Sequence, residues 1–159
     1  MSLLPFIDWC NRLSLGIAIR KSTWLFAVIE ATHLLALTVL LGTIVIVSMR
    51  LFRLILRRQA VSRVAGDMAP WTFAALSFML LTGGLLFLAE PTKCYNSPPF
   101  RLKMVLLTLA IIYHFTLYKR VARSDDAHVA SSWADRLAAG TSLVLWFSVG
   151  LAGRAIGFY

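Results

Sequence analysis

Four long runs of apolar residues divide the chain. Residues 24–48, WLFAVIEATHLLALTVLLGTIVIVS, hold only Glu30 and His33 as ionisable groups, and they exceed the roughly 20 residues that cross a bilayer as a helix. Residues 71–89 carry no charge and follow Pro70, a residue suited to the first turn of a helix. The third run, 100–118, is flanked by Arg101, Lys103, Lys119 and Arg120, whose aliphatic stems can lie along lipid while their charges reach water. The fourth, 138–157, is apolar except for Arg154. Ahead of them, residues 3–20 are interrupted by Asp8, Arg12 and Arg20, and Leu4, Ile7, Leu13 and Ile17 recur at near-helical spacing. That pattern predicts an amphipathic helix lying in the membrane interface. Asp8 and Arg12 occupy the place where a cleaved signal peptide would need its uninterrupted apolar core. The stretch RSDDAHVASSWAD, with His128, reads as a solvated loop. The expected fold is all-α: a single domain over residues 1–159, built as an integral membrane four-helix bundle with an N-terminal interfacial helix.

Composition supports that reading. With 59% hydrophobic and 14% charged residues, the chain is too apolar for an ordinary soluble domain and for a disordered one. Its 2 cysteines exclude a disulfide scaffold and any Cys-rich zinc or iron–sulfur site. The net charge of +9 raises the question of nucleic acid. The basic residues lie in short segments between apolar runs rather than on one large cationic face, so lipid is the expected partner and nucleic acid is not. The segments 49–70 and 119–137 together hold nine Lys and Arg against seven on the opposite face, which predicts a cytoplasmic location for the nine and both termini outside. Cys10 and Cys94 then share the outer side, where a disulfide is permitted and two free thiols are equally ordinary.

Ionisable side chains deep in a bilayer are costly and usually mark a function. Glu30 and His33 lie three apart on the first span; Lys103 and His114 lie eleven apart on the third, within some 20° of one face. At a rise of about 1.5 Å per residue, His33 lies roughly 14 Å below Trp24 and His114 roughly 21 Å below Phe100, which suggests similar depth. Lys103 and Arg154 approach the outer surface from the third and fourth spans. An imidazole pair at mid-membrane fits the axial ligands of one b-type haem, which needs no CxxCH attachment sequence. Lys103 and Arg154 would then neutralise the propionates, and Gly83 and Gly84 would give the macrocycle a wall without side chains. The alternative for the histidines is a neutral imidazole bonded across a helix interface, and for the glycines close helix packing. Zinc and copper fare worse, because the interior offers two His and one Glu at best and Met79 is the one sulfur ligand well inside a span. Glu30 is a candidate proton relay, or the partner of Lys103 or Arg154.

Two segments carry a family likeness. IEATHLLALTVLLGTIVIVSMRLF and FRLKMVLLTLAIIYHFTLYKR resemble the His-bearing first helix and the Lys-to-Tyr-His helix of the HemJ family of bacterial membrane proteins. A first-span His with a Lys opening a later span is also similar to the membrane domain of CopD-type copper-resistance proteins. Over nearly its whole length the chain resembles small uncharacterised bacterial four-span proteins with an E-x-x-H first helix, an A-E-P to F-R-L-K-M third-helix entry and a terminal G-R-x-I, here Glu30 to His33, Ala89 to Met104 and Gly153 to Ile156. The HemJ likeness implies haem b, with His33, Lys103 and His114 at the family's His, Lys and His, and oxidation of protoporphyrinogen. It also implies a bacterial inner membrane. MRLFRLILRRQAV lacks that family's His-rich continuation after the first span.

The sequence therefore favours a b-type cytochrome that exchanges electrons with the quinone pool and an outer redox partner protein, alone or as an oligomer. A HemJ-like oxidase is the alternative, ahead of CopD-like copper transport and of a structural subunit.

Overall fold

A computed structural model describes residues 4–122 and 133–158; the acidic loop and His128 lie outside them, apart from its last residues. Among the described residues, four helices are long and apolar enough to cross a membrane. In chain order the elements are α1 (Leu4–Arg12), α2 (Ser14–Lys21), α3 (Thr23–Leu51), α4 (Val61–Ala89), α5 (Pro91–Asn96), α6 (Pro98–Ala122) and α7 (Trp133–Ala155), the last followed by a short 3-10 turn at Ile156–Phe158. The described residues are thus an all-α bundle, with α3, α4, α6 and α7 as the spans. The face where α3 begins and α7 ends is called the terminal face below, and the opposite one the loop face.

Local chemistry sets the ends of these helices. The Ser22 hydroxyl accepts a hydrogen bond from the Leu25 amide at 3.2 Å and caps α3. At the other end Arg53 takes a left-handed conformation (φ 60°), and the Leu54 amide returns to the Met49 carbonyl at 2.9 Å. This closes the helix in the manner usually left to glycine. Arg50, buried, donates to the Gln59 carbonyl and ties the connection to α4. Pro91 opens α5, where its missing amide costs nothing.

Three expectations are revised. α4 begins at Val61, not after Pro70, so Pro70 lies inside the helix. Arg63 and Asp67 end the uncharged run without ending the helix, and the carbonyl that the proline ring displaces belongs to Gly66, the most permissive residue for the adjustment. The N-terminal segment is two helices broken at Leu13, whose backbone is extended (φ −65°, ψ 126°). They also do more than float at the interface. Ile7, Cys10, Gly16 and Ile19 are buried, and Gly16 meets the Leu88 backbone so closely that a Cβ would strike its carbonyl. Arg20 Nε donates to the Ala89 carbonyl at 2.7 Å, closing the exposed end of α4. Cys10 and Cys94 are free thiols. Burial and the neighbouring Glu90 push the Cys94 thiol above its ordinary range, against weaker pulls from Lys103 and Lys93.

Among the described residues, α3 and α4 make the largest helix contact, followed by α6 with α7 and α3 with α7; α4 and α6 touch far less. Aromatic pairs bridge α4 and α6 at both ends, Phe87 with Phe100 and Phe73 with Phe115 and Tyr118, and such bulky pairs hold helix axes apart. The core that all four spans share consists of Ala36, Leu40, Leu76, Met79, Ala110 and Val149 with their neighbours.

Gly16→Val should destabilise the bundle by about 1–3 kcal/mol, because a backbone carbonyl cannot yield as a side chain can. Gly84→Ala, where nothing lies within 4 Å of an added Cβ, should leave stability unchanged or slightly raised. Thermal unfolding in detergent distinguishes the two.

Candidate functional site

The buried stripe of α3 includes Ile29, His33, Ala36, Leu40, Thr43 and Ile44. His33, 8% exposed, faces α4, where its Nδ1 lies 3.0 Å from Thr82 Oγ1. The proton on that bond can be assigned. Thr82 has one hydroxyl hydrogen, and its oxygen lies 2.6 Å from the Phe78 carbonyl one turn back, with the Met79 carbonyl farther at 3.3 Å. The hydroxyl therefore donates to Phe78 and accepts from His33 Nδ1–H, and the Met79 backbone also hydrogen-bonds the imidazole; in a neutral ring with its one proton on Nδ1, Nε2 carries the lone pair. An imidazole anchored through one nitrogen, with the other unprotonated, is the arrangement of a metal-ligating histidine. It is also a satisfied polar pair across a membrane helix interface.

Gly83 belongs to the same arrangement. An added Cβ would lie 3.3 Å from His33 Cε1 and 3.7 Å from Nδ1, so this glycine is what lets the imidazole seat against α4. The pair Gly83 and Gly84 does not act together: Gly84 is exposed with open space around it.

Lys103 of α6 joins this layer from the other side. Its charge acts on both His33 and Cys94, and its ammonium lies against Gly153, 3.3 Å from the position of an added Cβ. No carboxylate pairs with Lys103 among the described residues; Glu90 pairs with Lys93 instead, at 3.7 Å. A half-buried ammonium without a carboxylate, next to a fixed neutral imidazole, makes this layer receptive to an anionic group.

Two other candidates point elsewhere. Arg154 is exposed, and it is Gly153 that packs on Lys103; one residue along a helix turns about 100°. Glu30 is exposed as well, since a spacing of three leaves it some 60° off the buried stripe. Neither faces His33 in this bundle.

The largest correction concerns His114. It lines a cavity of about 40 Å³ together with Thr43, Ser48, Thr72 and Ser142, and its ring stands edge-on to Trp146 with centroids 6.3 Å apart. The α3 wall of that cavity begins ten residues beyond His33, about 15 Å farther along the helix. The two imidazoles therefore cannot meet one iron from opposite sides. The similar depths inferred from sequence assumed that α3 and α6 start in one plane. Phe87, five positions beyond Thr82, lies level with Val28, and Phe100 stacks on it at 5.6 Å. The third span thus enters roughly 6 Å lower than Trp24. That offset puts His114 roughly 27 Å below Trp24, against roughly 14 Å for His33.

Thr82, Thr43, Thr72, Ser48 and Ser142 were not among the candidates read from sequence. Their one signal there is position, as hydroxyl residues inside otherwise apolar runs, and most such residues in this chain bond their own helix, as Thr32 and Thr38 do. Among the described residues no three His, Cys, Asp or Glu side chains converge as a metal-binding group.

Thr82→Val removes the acceptor of His33 Nδ1–H. Nitrogen NMR of histidine-labelled protein in bilayers should show a single Nδ1-protonated tautomer in the wild type and a mixture in the variant. The lost interhelical bond should cost about 0.6–2 kcal/mol.

No curated protein and no solved structure matches the chain. One family model covers residues 6–159, which takes in all four spans together with the His33, Lys103 and His114 positions. By that match the chain belongs to the family of unknown function DUF6644.

Proposed function

We propose that the protein is a b-type haem-binding redox protein of the bacterial inner membrane, with its termini outside, in which His33 would hold the haem through its imidazole and Lys103 would neutralise a propionate. The observation that carries this reading is the setting of His33: Thr82 accepts from Nδ1–H, Gly83 gives the ring room against α4, and the charge of Lys103, which has no carboxylate partner among the described residues, acts on the imidazole. The donor set suits a haem bound through a single histidine of this chain. It does not suit the two-histidine ligation expected from sequence, because His114 belongs to a different layer. Haem b, when bound, supplies one-electron chemistry. The chain's own residues orient one ligand, neutralise one carboxylate and keep the rest of the layer apolar. Quinol is the proposed electron source, since the spans are bathed in lipid and exposed Glu30 can relay a proton near the terminal face.

One observation favours a second reading, oxidation of a porphyrinogen. His114 lies in a different layer and would not help to hold the group, and Lys103 could equally hold a substrate carboxylate. CopD-like copper movement finds less support, because Met79 is packed in the shared core and no further sulfur ligand joins His33 among the described residues.

Protein purified from haem-supplied cells should give a haem b spectrum in a pyridine haemochrome assay. His33→Ala should lose it and Lys103→Met should weaken retention, while His114→Ala should keep it. Adding a reduced quinol analogue should reduce the haem, and Glu30→Gln should slow that step without loss of haem. Porphyrin formation from protoporphyrinogen without a response to quinol would select the second reading. Absence of haem from the folded wild type would defeat both.

A further inference from the structure

The cavity beside His114 is separate from the His33 layer, and its lining has an unusual feature. Ser48 and Ser142 are 3% and 2% exposed and turn into the wall of the cavity, and none of the hydrogen bonds described above uses either hydroxyl. His114, in the same wall, makes ring contacts with Phe115 and Trp146. The two threonines of the wall are already joined: the Thr72 hydroxyl lies 2.9 Å from Thr43 Oγ1, and the Thr43 hydroxyl donates to the Leu40 carbonyl at 2.8 Å. Three polar side chains from three different helices, α3, α6 and α7, therefore border one space without bonding to each other.

Hydroxyl and imidazole groups are expensive inside a bilayer unless they are hydrogen-bonded. Water in the space would remove that cost. Its volume of about 40 Å³ exceeds the 10–15 Å³ or so that one water needs on the same measure, and three partners are enough to hold it. The space is too small for a quinone or a macrocycle. It also lies toward the loop face: Ser48 is one turn before the end of α3, and Ala65, in the same wall, is one turn after the start of α4. Toward the terminal face it meets the apolar core of Leu40, Leu76, Met79 and Val149.

We propose that this cavity holds water bonded to Ser48, Ser142 and His114, and that His114 is a proton-exchanging site supplied from the loop face. A proton arriving through that water binds the unprotonated ring nitrogen, and the same nitrogen returns it. The imidazole alternates between neutral and cationic forms with no other bond made or broken. The walls from α3, α4 and α7 present no charged or titratable side chain to the cavity, and α6 adds only the Tyr118 phenol beside His114 itself. The protonation state therefore answers to the loop-face solution. The dry core stops the proton before the His33 layer, so the bundle exchanges protons on one side without becoming a conductor. This assignment does not depend on haem.

Histidine-labelled protein in lipid bilayers gives a direct test by solid-state NMR, with His114→Gln used to assign the signal. Magnetisation should pass from water to the His114 ring, and the ring's protonation should follow the pH of the medium. Ala65→Leu, which fills the cavity with apolar volume, should reduce the water transfer severalfold. If that variant fails to fold, Ser142→Ala removes one of the water's partners without adding bulk and should lower the transfer in the same way. No water transfer to His114 in the folded wild type would overturn the proposal, as would transfer unchanged in a folded cavity variant.

Discussion

The buried contact between α3 and α4 sets the geometry on which the other helices depend, and the hydrogen bond from His33 to Thr82 is its most constrained point. It joins two helices at 3.0 Å, requires Gly83 beside it, and fixes the register in which Thr43 meets Thr72 ten residues farther along both helices. A shift of either helix by one turn would break both bonds and take the His33 imidazole from its hydroxyl partner, while the three threonines keep the carbonyls of their own helices. α7 packs against α3, and α6 against α7, so the positions of Lys103 and His114 follow from that first pairing.

The consequence is a bundle with two polar layers and a dry core between them. The layer near the terminal face combines a fixed neutral imidazole with an ammonium, and the one near the loop face gathers hydroxyls and an imidazole around a small cavity. Leu40, Leu76, Met79, Ala110 and Val149 fill the space between. Apolar packing there keeps ions and water from crossing, which lets each layer carry polar groups without making the membrane leaky. Membership of DUF6644 agrees with this picture in extent, since the match spans both layers, and leaves their chemistry to experiment.

The spans were legible because an uncharged run of some 20 residues has few alternatives in lipid. Their ends were less so: Arg63 and Asp67 hid the first turns of α4, because charges stop an apolar run at the membrane surface while the helix continues beyond it. His33 and Lys103 were recognisable as candidates by their cost in a bilayer. What sequence could not supply was the axial offset between helices. Periodicity fixes angles around one helix axis and says nothing of where a neighbour starts, and so His114 was placed level with His33. The same blindness assigned Arg154 and Glu30 to the interior, one residue and three residues from positions that do face it. Thr82 was illegible for another reason, since its role exists only once α4 meets α3.

The separation of the two histidines is the claim on which the rest stands, and ring-to-ring magnetisation transfer in histidine-, threonine- and tryptophan-labelled protein in bilayers tests it most directly. The account predicts transfer from the His33 ring to Thr82 and from the His114 ring to Trp146, with none between the two imidazoles. A direct correlation between His33 and His114 would contradict it, restoring the single two-histidine site and removing the case for separate layers.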